Sequence, residues 1–181
     1  MDILETKLHG LCILEPRVFE DVRGYFLESY NKETFKKIGI DVDFVQDNQS
    51  LSSKGTLRGL HFQKPPYAQA KLIRVITGSI LDVAVDIRTD SKTYGKYFSA
   101  ILDGENKRML YIPEGFAHGF LSLEDNTLIQ YKCSDLYNKE SEGGIVWNDP
   151  DININWGIDY EPIISDKDKN NIFLKNFKSP F

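Results

Sequence analysis

The sequence lacks several features that mark specialised classes of protein. Only two cysteines occur among its 181 residues, Cys12 and Cys133, and neither belongs to a C-x-x-C pair. We therefore expect no disulfide framework, but the reduced thiols of a cytosolic protein. The N-terminus has no basic stretch followed by an apolar run, and nowhere do about 18 apolar residues follow one another. The sequence thus predicts a cytoplasmic protein with no membrane association.

Positive charge is also in short supply. The 22 lysines and arginines are outnumbered by 27 aspartates and glutamates, so the formal net charge is -5. The sequence pI is near 5.2, and such an acidic balance disfavours nonspecific binding to nucleic acid. We expect no nucleic-acid partner. A negatively charged small molecule would still bind wherever basic residues converge.

Length and composition indicate a single domain that spans residues 1–181. Hydrophobic residues make up 41% of the chain and aromatic residues 12%, which is typical of a chain that buries a core. No internal repeat, low-complexity tract or linker interrupts it. Residues 166–181 mix charged and apolar side chains, so we expect this segment to dock on a sheet and then fray, leaving about the last ten residues peripheral.

Hydrophobic periodicity predicts many short strands. Between residues 81 and 87, Leu, Val, Val and Ile alternate with Asp, Ala and Asp, which is the period of a strand with one face in a core. Only residues 31–38 predict a helix, with Asn31 as its N-cap and Gly39 at its end. Many short strands with one or a few short helices favour an all-β sandwich or jelly roll. Further strand-like runs occupy residues 11–14, 25–30, 71–77, 97–102, 108–112, 119–123 and 127–133.

Two segments that contain histidine have the most distinctive patterns. The first extends from residue 55 to 78 around His61, and the second is the stretch Pro-Glu-Gly-Phe-Ala-His that ends at His118. They resemble the two motifs of the cupins, jelly rolls (double-stranded β-helices) whose metal-binding members hold one ion through three histidines and a glutamate. Here Gln63 and Lys71 stand where the second histidine and the glutamate belong. Because an ammonium repels a divalent cation and an amide replaces imidazole poorly, we expect no metal.

Several longer stretches resemble the dTDP-4-dehydrorhamnose 3,5-epimerase family, cupins that work without a metal. The most specific pieces of this resemblance are residues 21–28, 44–48, 58–63, 112–120 and 147–150. The resemblance implies an isomerase without a cofactor that converts dTDP-4-dehydro-6-deoxy-D-glucose to dTDP-4-dehydro-L-rhamnose, in dTDP-L-rhamnose biosynthesis. Carbons C3 and C5 of this sugar both adjoin the C4 ketone, which acidifies their protons. Inversion then needs a base, an acid on the opposite face and a group that holds the enolate oxygen.

The resemblance implies a role for each of four catalytic residues. His61 is the expected base, Tyr131 the proton donor on the opposite face, and Lys71 the group that stabilises the enolate. Asp168 is expected to orient the histidine and to stabilise its positively charged form. Asp166, two residues away, remains an alternative for this role. Taken singly, a histidine between apolar neighbours, one tyrosine of nine and a lysine at a strand start are more often structural or solvated residues.

Further positions match those with which the family holds the nucleotide and the sugar. They are Arg23, Glu28, Gln46, Asn48, Arg58, His118, Glu142 and Lys167. Phe26 and Tyr137 are the candidates for stacking on the thymine base. Arginine forks suit phosphate oxygens. Because Arg23 and Glu28 lie in the first strands, the family's architecture implies a homodimer in which they reach the partner's site.

Two alternatives to this function stay open. One is an epimerase of the same group that inverts only C3 or only C5, or that takes a related nucleotide sugar, since both inversions use one base. The other is a catalytically silent cupin that binds a nucleotide sugar. The joint presence of His61, Lys71 and Tyr131 argues against the silent protein.

Overall fold

A computed structural model describes residues 1–181 of the chain and is built mainly from short strands. The strands are β1 (Asp2–Glu5), β2 (Cys12–Glu15), β3 (Val18–Asp21), β4 (Gly24–Leu27), β5 (Gln46–Ser52), β6 (Leu57–Gln63), β7 (Lys71–Thr77), β8 (Ser79–Asp86), β9 (Tyr97–Asp103), β10 (Met109–Ile112), β11 (Phe116–Ser122), β12 (Thr127–Cys133) and β13 (Glu142–Gly144). The helices are α1 (Lys32–Lys37), α2 (Asp166–Lys169) and a 3₁₀ turn (Leu174–Asn176). The predicted all-β class is confirmed. None of the helices has the length and apolar character needed to cross a membrane.

Two antiparallel sheets make up most of the molecule. The larger has six strands in the order β1-β2-β10-β7-β12-β5, and the smaller has five in the order β13-β6-β11-β8-β9. Neighbouring strands in each sheet often lie far apart in the chain, as the β6–β11 pair shows, and this is the connectivity of a jelly roll. The hairpin β3–β4 forms a separate two-stranded sheet.

The main hydrophobic core lies between the two sheets. Ile73 and Val75 of β7 pack in one cluster with Ile80 and Ala84 of β8 and with Phe120 of β11, and none of the five is more than 5% exposed. Burial of side chains of this size contributes roughly 1.5–3 kcal/mol each to folding. Successive side chains along each strand therefore point alternately toward the space between the sheets and away from it. Polar residues at the inward positions point into the interior.

Strand β8 is buried on both faces, which differs from the pattern predicted from its sequence. Val83 and Val85 face outward and belong to a second core on the far side of the five-stranded sheet. Asp82 and Asp86, which alternate with them, are 0% exposed. The polar positions of this strand thus face the space between the sheets rather than solvent.

The C-terminal segment covers the outer face of the five-stranded sheet. Phe177 and Phe181 pack against the second core, and both rings contact Phe62. The sequence predicts a frayed end. Instead the backbone N–H and the hydroxyl of Thr89 both donate to the backbone oxygen of Phe181.

The predicted helix forms as α1, and it covers the outer face of the six-stranded sheet. The Asn31 side chain accepts from the backbone N–H groups of Glu33 and Thr34, which is the usual N-cap arrangement. Phe35 of the helix is 1% exposed and belongs to a third core beside β2, β7 and β10. The chain leaves the helix through Gly39 with φ of +88°, a conformation that glycine adopts without strain.

Two glycines allow strands β6 and β11 to approach each other closely. A Cβ atom on Gly119 would lie 2.7 Å from the carbonyl oxygen of Arg58, and one on Gly59 would lie 2.5 Å from Cα of Gly119. Both distances are too short for a side chain. Next to this contact the register pairs His61 with His118, so the close approach sets the two histidines side by side.

Candidate active site

Two adjoining cavities open between the sheets and share part of their walls. The larger has a volume of about 510 Å³ and the smaller about 390 Å³. His61, Lys71 and Tyr131 line both cavities. The three residues expected to transfer protons or hold the enolate therefore meet where the two spaces join.

Four strands from both sheets bring these residues together. His61 lies in β6 and His118 in the neighbouring β11, while Lys71 begins β7 and Tyr131 lies in β12 beside it. Ile73 follows two positions after Lys71 and faces the main core, and this alternation points Lys71 inward as well. The site is thus a continuation of the inner surfaces of the two sheets.

His61 is held by a buried carboxylate from the C-terminal segment. Its Nε2 lies 2.7 Å from Oδ1 of Asp168, whose side chain is 5% exposed. The other oxygen, Oδ2, accepts from the backbone N–H of Gly59 at 3.1 Å, and Ser165 caps the short helix that carries Asp168. Asp166 is exposed. Of the two candidates, the geometry pairs Asp168 with the histidine.

The pair leaves one basic nitrogen of His61 available. Burial raises the pKa of the Asp168 carboxyl, but the hydrogen bond and charge of His61 and the Gly59 N–H outweigh it, so the pKa lies below its usual value. An ionised carboxylate accepts from Nε2–H and thereby fixes the tautomer. The unpaired Nδ1 atom is then the one that can take a proton from a substrate.

Lys71 is a cation without a partner. It forms no side-chain hydrogen bond and no ion pair within 4.0 Å, although Asp82, Cys133 and Glu142 lie near enough to act on its charge. Burial lowers the pKa of the Lys71 ammonium, and the electrostatic influence of Cys133, Asp82 and Glu142 opposes that shift. Such a desolvated, unpaired cation is suited to bind an oxygen on which negative charge develops.

Tyr131 presents a protonated phenol to the same space. Burial raises its pKa, the charge of Cys133 raises it further, and Arg58 opposes both. Its hydroxyl has no hydrogen-bond partner within the chain. A phenol with a raised pKa holds its proton at neutral pH and can donate it to a strong base such as a carbanion.

The smaller cavity has a polar wall that links two expected binding residues. Glu142 accepts from the Lys167 ammonium at 2.5 Å and from the Tyr137 hydroxyl at 3.0 Å. The backbone N–H of Tyr137 donates to Oε1 of Gln46 at 2.9 Å, and Gln46 donates to Asn48. This chain of contacts places amide, carboxylate, ammonium and phenol groups along one surface.

Gln63, at the position of a cupin metal ligand, has a structural task here. It is 4% exposed, and its Nε2 donates to the carbonyls of Tyr67 and Leu136 at 2.7 and 3.2 Å. Its Oε1 accepts from the backbone N–H of Asn138 at 2.7 Å. No group of three or more His, Cys, Asp or Glu side chains in the structure could hold a metal ion.

Most of the expected site residues line the two cavities. The larger is lined by Arg58, His61, Lys71, His118, Tyr131, Lys167 and Asp168. The smaller adds Gln46, Asn48, Tyr137 and Glu142. Sequence reasoning missed Asp82, whose Oδ1 lies 2.5 Å from His118 Nε2. No signal in the local sequence could have found this pair, because Asp82 lies in β8 and His118 in β11.

Three expected residues lie elsewhere on the same chain. Arg23 forms an ion pair with Asp21 at the tip of the β3–β4 hairpin, where its side chain is 86% exposed. Phe26 packs on Phe19 of the same hairpin, and Glu28 accepts hydrogen bonds at the start of α1. The fold therefore does not bring these three residues to the cleft of their own chain.

The jelly roll and the residues at its cleft define the class of protein. A histidine–aspartate pair, a tyrosine and an unpaired lysine, all held on inward strand faces, form a cupin-type isomerase site suited to moving protons at carbon. The sequence profile of the family described as dTDP-4-dehydrorhamnose 3,5-epimerase matches residues 5–176. The chain belongs to this family.

Curated proteins and solved structures agree with this assignment. The chain is 52% identical over 169 residues to the dTDP-4-dehydrorhamnose 3,5-epimerase of Methanothermobacter thermautotrophicus, which covers 92% of this chain and 91% of the relative. It matches the dTDP-6-deoxy-D-glucose-3,5-epimerase RmlC of Legionella pneumophila, solved with dTDP-4-keto-L-rhamnose, with a TM-score of 0.94, 43% identity and coverage of 98% and 94%. ChmJ of Streptomyces bikiniensis, a 3'-monoepimerase solved with dTDP-quinovose, gives a TM-score of 0.89, 35% identity and coverage of 94% and 86%.

Proposed function

We propose that this chain is a 3,5-epimerase that converts dTDP-4-dehydro-6-deoxy-D-glucose to dTDP-4-dehydro-L-rhamnose, in the synthesis of dTDP-L-rhamnose in the cytoplasm. The observation that carries the proposal is the junction of the two cavities, where His61, Lys71 and Tyr131 meet. Its residues supply a base, an acid and a cation. These are the three groups that inversion next to a ketone requires.

The proposed reaction moves one proton off each carbon and returns another to its opposite face. His61 takes the proton from C5 or C3, and the C–H electron pair moves into the C4 carbonyl to form an enolate. Lys71 stabilises the oxygen of that enolate. Tyr131 then donates a proton to the opposite face of the carbon while the electron pair returns from oxygen. Solvent removes the proton from His61 and reprotonates Tyr131, so the reaction consumes no cofactor.

The cations and the polar wall of the cleft support binding of a nucleoside diphosphate sugar. Arg58 and Lys167 line the larger cavity beside the proposed base, and their charges suit a diphosphate. Tyr137, on the wall of the smaller cavity, is the residue that we propose stacks on thymine. His118, Gln46, Asn48 and Glu142 would then bind the sugar and the base by hydrogen bonds.

Incubation with the 4-keto nucleotide sugar in deuterated water tests the reaction. We expect NMR to show deuterium at both C3 and C5 and formation of the L-rhamno product, because each inverted centre takes its new proton from solvent. Substitution of the base, His61→Ala, should abolish both signals. Tight binding without deuterium at either carbon would instead identify a silent binding protein and refute the proposed reaction.

A single-centre epimerase is the second candidate. The structural likeness to ChmJ, a 3'-monoepimerase, favours it. One base serves both inversions, so the catalytic residues themselves do not separate the two reactions. Deuterium at only one of the two carbons in the same experiment would select this candidate.

We further propose that the active unit is a homodimer of single-domain subunits that share sites through the β3–β4 hairpin. The hairpin carries Arg23, Phe26 and, just beyond it, Glu28, all away from the cleft of their own chain. Phe26 is 67% exposed and Val22, at the hairpin tip, is 105% exposed. Exposed apolar residues on one projecting element are typical of an interaction surface. We propose that the hairpin reaches the cleft of the partner subunit, where Arg23 would bind the diphosphate of the substrate.

A further inference from the structure

Asp82 has an environment that packing alone does not explain. Its side chain is 0% exposed, and Oδ1 lies 2.5 Å from Nε2 of His118, whose side chain is 10% exposed. The other oxygen, Oδ2, is buried and has no hydrogen-bond partner. A buried carboxylate oxygen left unpaired costs stability, so such atoms in a folded protein call for a functional reason.

The strand register shows why this carboxylate bears on the site. Asp82 of β8 lies opposite Phe120 of β11, and His118 lies two residues before Phe120 on the same inward face. His118 is in turn the register partner of His61. The structure therefore contains two histidine–aspartate pairs side by side, and His118 lines the larger cavity together with Lys71.

Asp82 also complements the unpaired cation of the cleft. It is one of the groups whose negative charge acts on Lys71, yet no ion pair forms within 4.0 Å. A direct contact would occupy the ammonium, whereas a carboxylate at greater distance favours the charged form and leaves its N–H groups for another acceptor. The same carboxylate holds Nε2–H of His118 and leaves its Nδ1 unoccupied.

We propose that Asp82 is a positioning residue for the proposed reaction: it fixes the ring of His118 and sets a negative charge beside the cleft that the Lys71 ammonium lines. The inference rests on the proposed function, because the oxygen served by these two groups is that of the sugar enolate. Asp82 itself does not contact the substrate. It acts through His118 and Lys71, as Asp168 acts through His61.

The variant Asp82→Asn tests this role because it keeps the size of the side chain and removes its charge. We expect the kcat for deuterium exchange and the kcat for inversion to fall together, by about ten-fold or more, since both follow from the same enolate. The KM should change less than the kcat, because Asp82 contacts only His118 among the residues proposed to bind the substrate and forms no ion pair with Arg58 or Lys167, the cations proposed for the diphosphate.

Imidazole NMR gives a readout that a merely structural role would not produce. The chain has only three histidines, so each ring can be assigned. In the substrate-free Asp82→Asn variant, the ring nitrogen and carbon signals of His118 should shift because the tautomer or orientation changes. Those of His9 and His61 should remain where they are.

Asp86→Asn is the matched control. Asp86 lies on the same strand and the same inward face and is also 0% exposed, but it binds Arg88, Ser91 and Thr93 rather than a cleft residue. We expect this variant to lose stability while the folded protein keeps the kcat and the His118 signals of the unsubstituted protein.

The outcomes separate the two proposals. No exchange or inversion by the unsubstituted protein would refute the proposed function. An active unsubstituted protein with equally active Asp82→Asn, or with unchanged His118 signals, would overturn the role of Asp82 and leave the function standing. Equal losses of kcat in Asp82→Asn and Asp86→Asn would also overturn it, because a general effect of a buried charge would then explain the result.

Discussion

Each histidine at the cleft contacts one carboxylate through Nε2. His61 contacts Asp168 at 2.7 Å and His118 contacts Asp82 at 2.5 Å. Because each carboxylate fixes one nitrogen, the other nitrogen of each ring has a defined proton state and direction. Two carboxylates thus set the orientation of the two imidazole rings at the cleft.

Tyr131→Phe separates the two halves of the proposed proton transfer. Abstraction by His61 and stabilisation by Lys71 do not need the phenol, so exchange of substrate protons with deuterated solvent should continue. Inversion should fall by about 100-fold or more, because the opposite-face donor is lost. The measurement is the ratio of deuterium incorporation to product formation by NMR. Equal loss of both processes would contradict this division of roles.

The lowered pKa of the buried Asp86 carboxyl predicts a contribution to the stability of the fold that is lost in acid. Burial raises the pKa of the Asp86 carboxyl, but hydrogen bonds from Arg88, Ser91 and Thr93 outweigh that effect and lower the pKa to about 2, from an ordinary value of 3.8. A lowered folded-state pKa stabilises the fold above the unfolded-state value, and the gain is lost as the pH falls toward about 2. The shift corresponds to about 2 kcal/mol at neutral pH.

Urea unfolding from about pH 6 down to about pH 2 checks the Asp86 contribution. The stability difference between the unsubstituted protein and Asp86→Asn should be about 2 kcal/mol at the upper end and should shrink as the pH falls. Lys64→Gln, on an exposed loop, is the control and should show no such trend. A difference that stays constant with pH would exclude this linkage.

At the scale of elements, three glutamines hold the loop that carries Tyr137. Gln63 binds Leu136 and Asn138, Gln46 binds the backbone N–H of Tyr137, and Gln69 donates to the carbonyl of Asp135. Neutral amides both donate and accept, so they satisfy loop backbone groups without adding charge. The loop is thereby fixed as one wall of the smaller cavity.

Gln63→Leu should loosen that wall and weaken nucleotide binding. It removes three hydrogen bonds to backbone groups, and leaving buried groups unpaired costs about 1–3 kcal/mol. If the loss of one of these hydrogen bonds weakens the binding of dTDP by about 1.4 kcal/mol, the Kd for dTDP rises about ten-fold. The kcat should change little, because the contacts of His61, Lys71 and Tyr131 are untouched. Calorimetric titration with dTDP and steady-state kinetics measure the two effects.

Gln49→Leu is the control for the loop prediction. Gln49 lies on strand β5, three residues after Gln46, at an exposed position, and its side chain forms no hydrogen bond within the chain. Its Kd should match that of the unsubstituted protein. Unchanged affinity in Gln63→Leu would mean that the loop does not depend on this amide.

The sequence predicted elements with strong periodicity and missed those that depend on distant partners. Strands β7 and β12 were predicted with the observed bounds, and α1 was found through its Asn31 cap. Strand β5 and the three-residue β13 carry weak alternation, because pairing with neighbours rather than a hydrophobic pattern defines them. The charges of β8 could not be placed without tertiary structure, since an alternating strand with both faces buried resembles one with a solvent face.

The site residues also divide into those that the sequence indicates and those that only the tertiary structure shows. The family resemblance led to the residues that line the cleft, including His61 and Tyr131, whereas physical properties alone left each of them open to a structural explanation. Asp82 was missed because nothing in the local sequence relates it to His118 on another strand. Its partner becomes visible only through the β8–β11 register.

At the scale of the whole molecule, basic groups converge although the chain is acidic. Arg58, Lys71 and Lys167 line one cavity in a protein of net charge -5. The excess carboxylates lie largely elsewhere on the surface. Local convergence, rather than total charge, decides which ligands such a protein attracts.

Mixed dimers test the sharing of sites between subunits. Arg23→Ala and His61→Ala should each be nearly inactive as homodimers if every site takes Arg23 from one chain and His61 from the other. A heterodimer then contains one intact site of two, so random mixing should restore about a quarter of full activity. Purified heterodimers that are no more active than the parents would count against shared sites. Recovery should be absent for His61→Ala mixed with Lys71→Ala, because both residues belong to the same cleft.

The C-terminal segment supplies one half of the histidine–aspartate pair at the cleft. His61 and Asp168 are 107 positions apart, and the short helix that carries Asp168 is followed by Phe177 and Phe181, which pack on the outer face of the five-stranded sheet. If His61 is the base, as we propose, cleavage of the chain before Asp168 by a protease would leave the two sheets in place but remove the carboxylate that orients the base. We therefore expect an intact C-terminal segment to be a condition of the proposed activity.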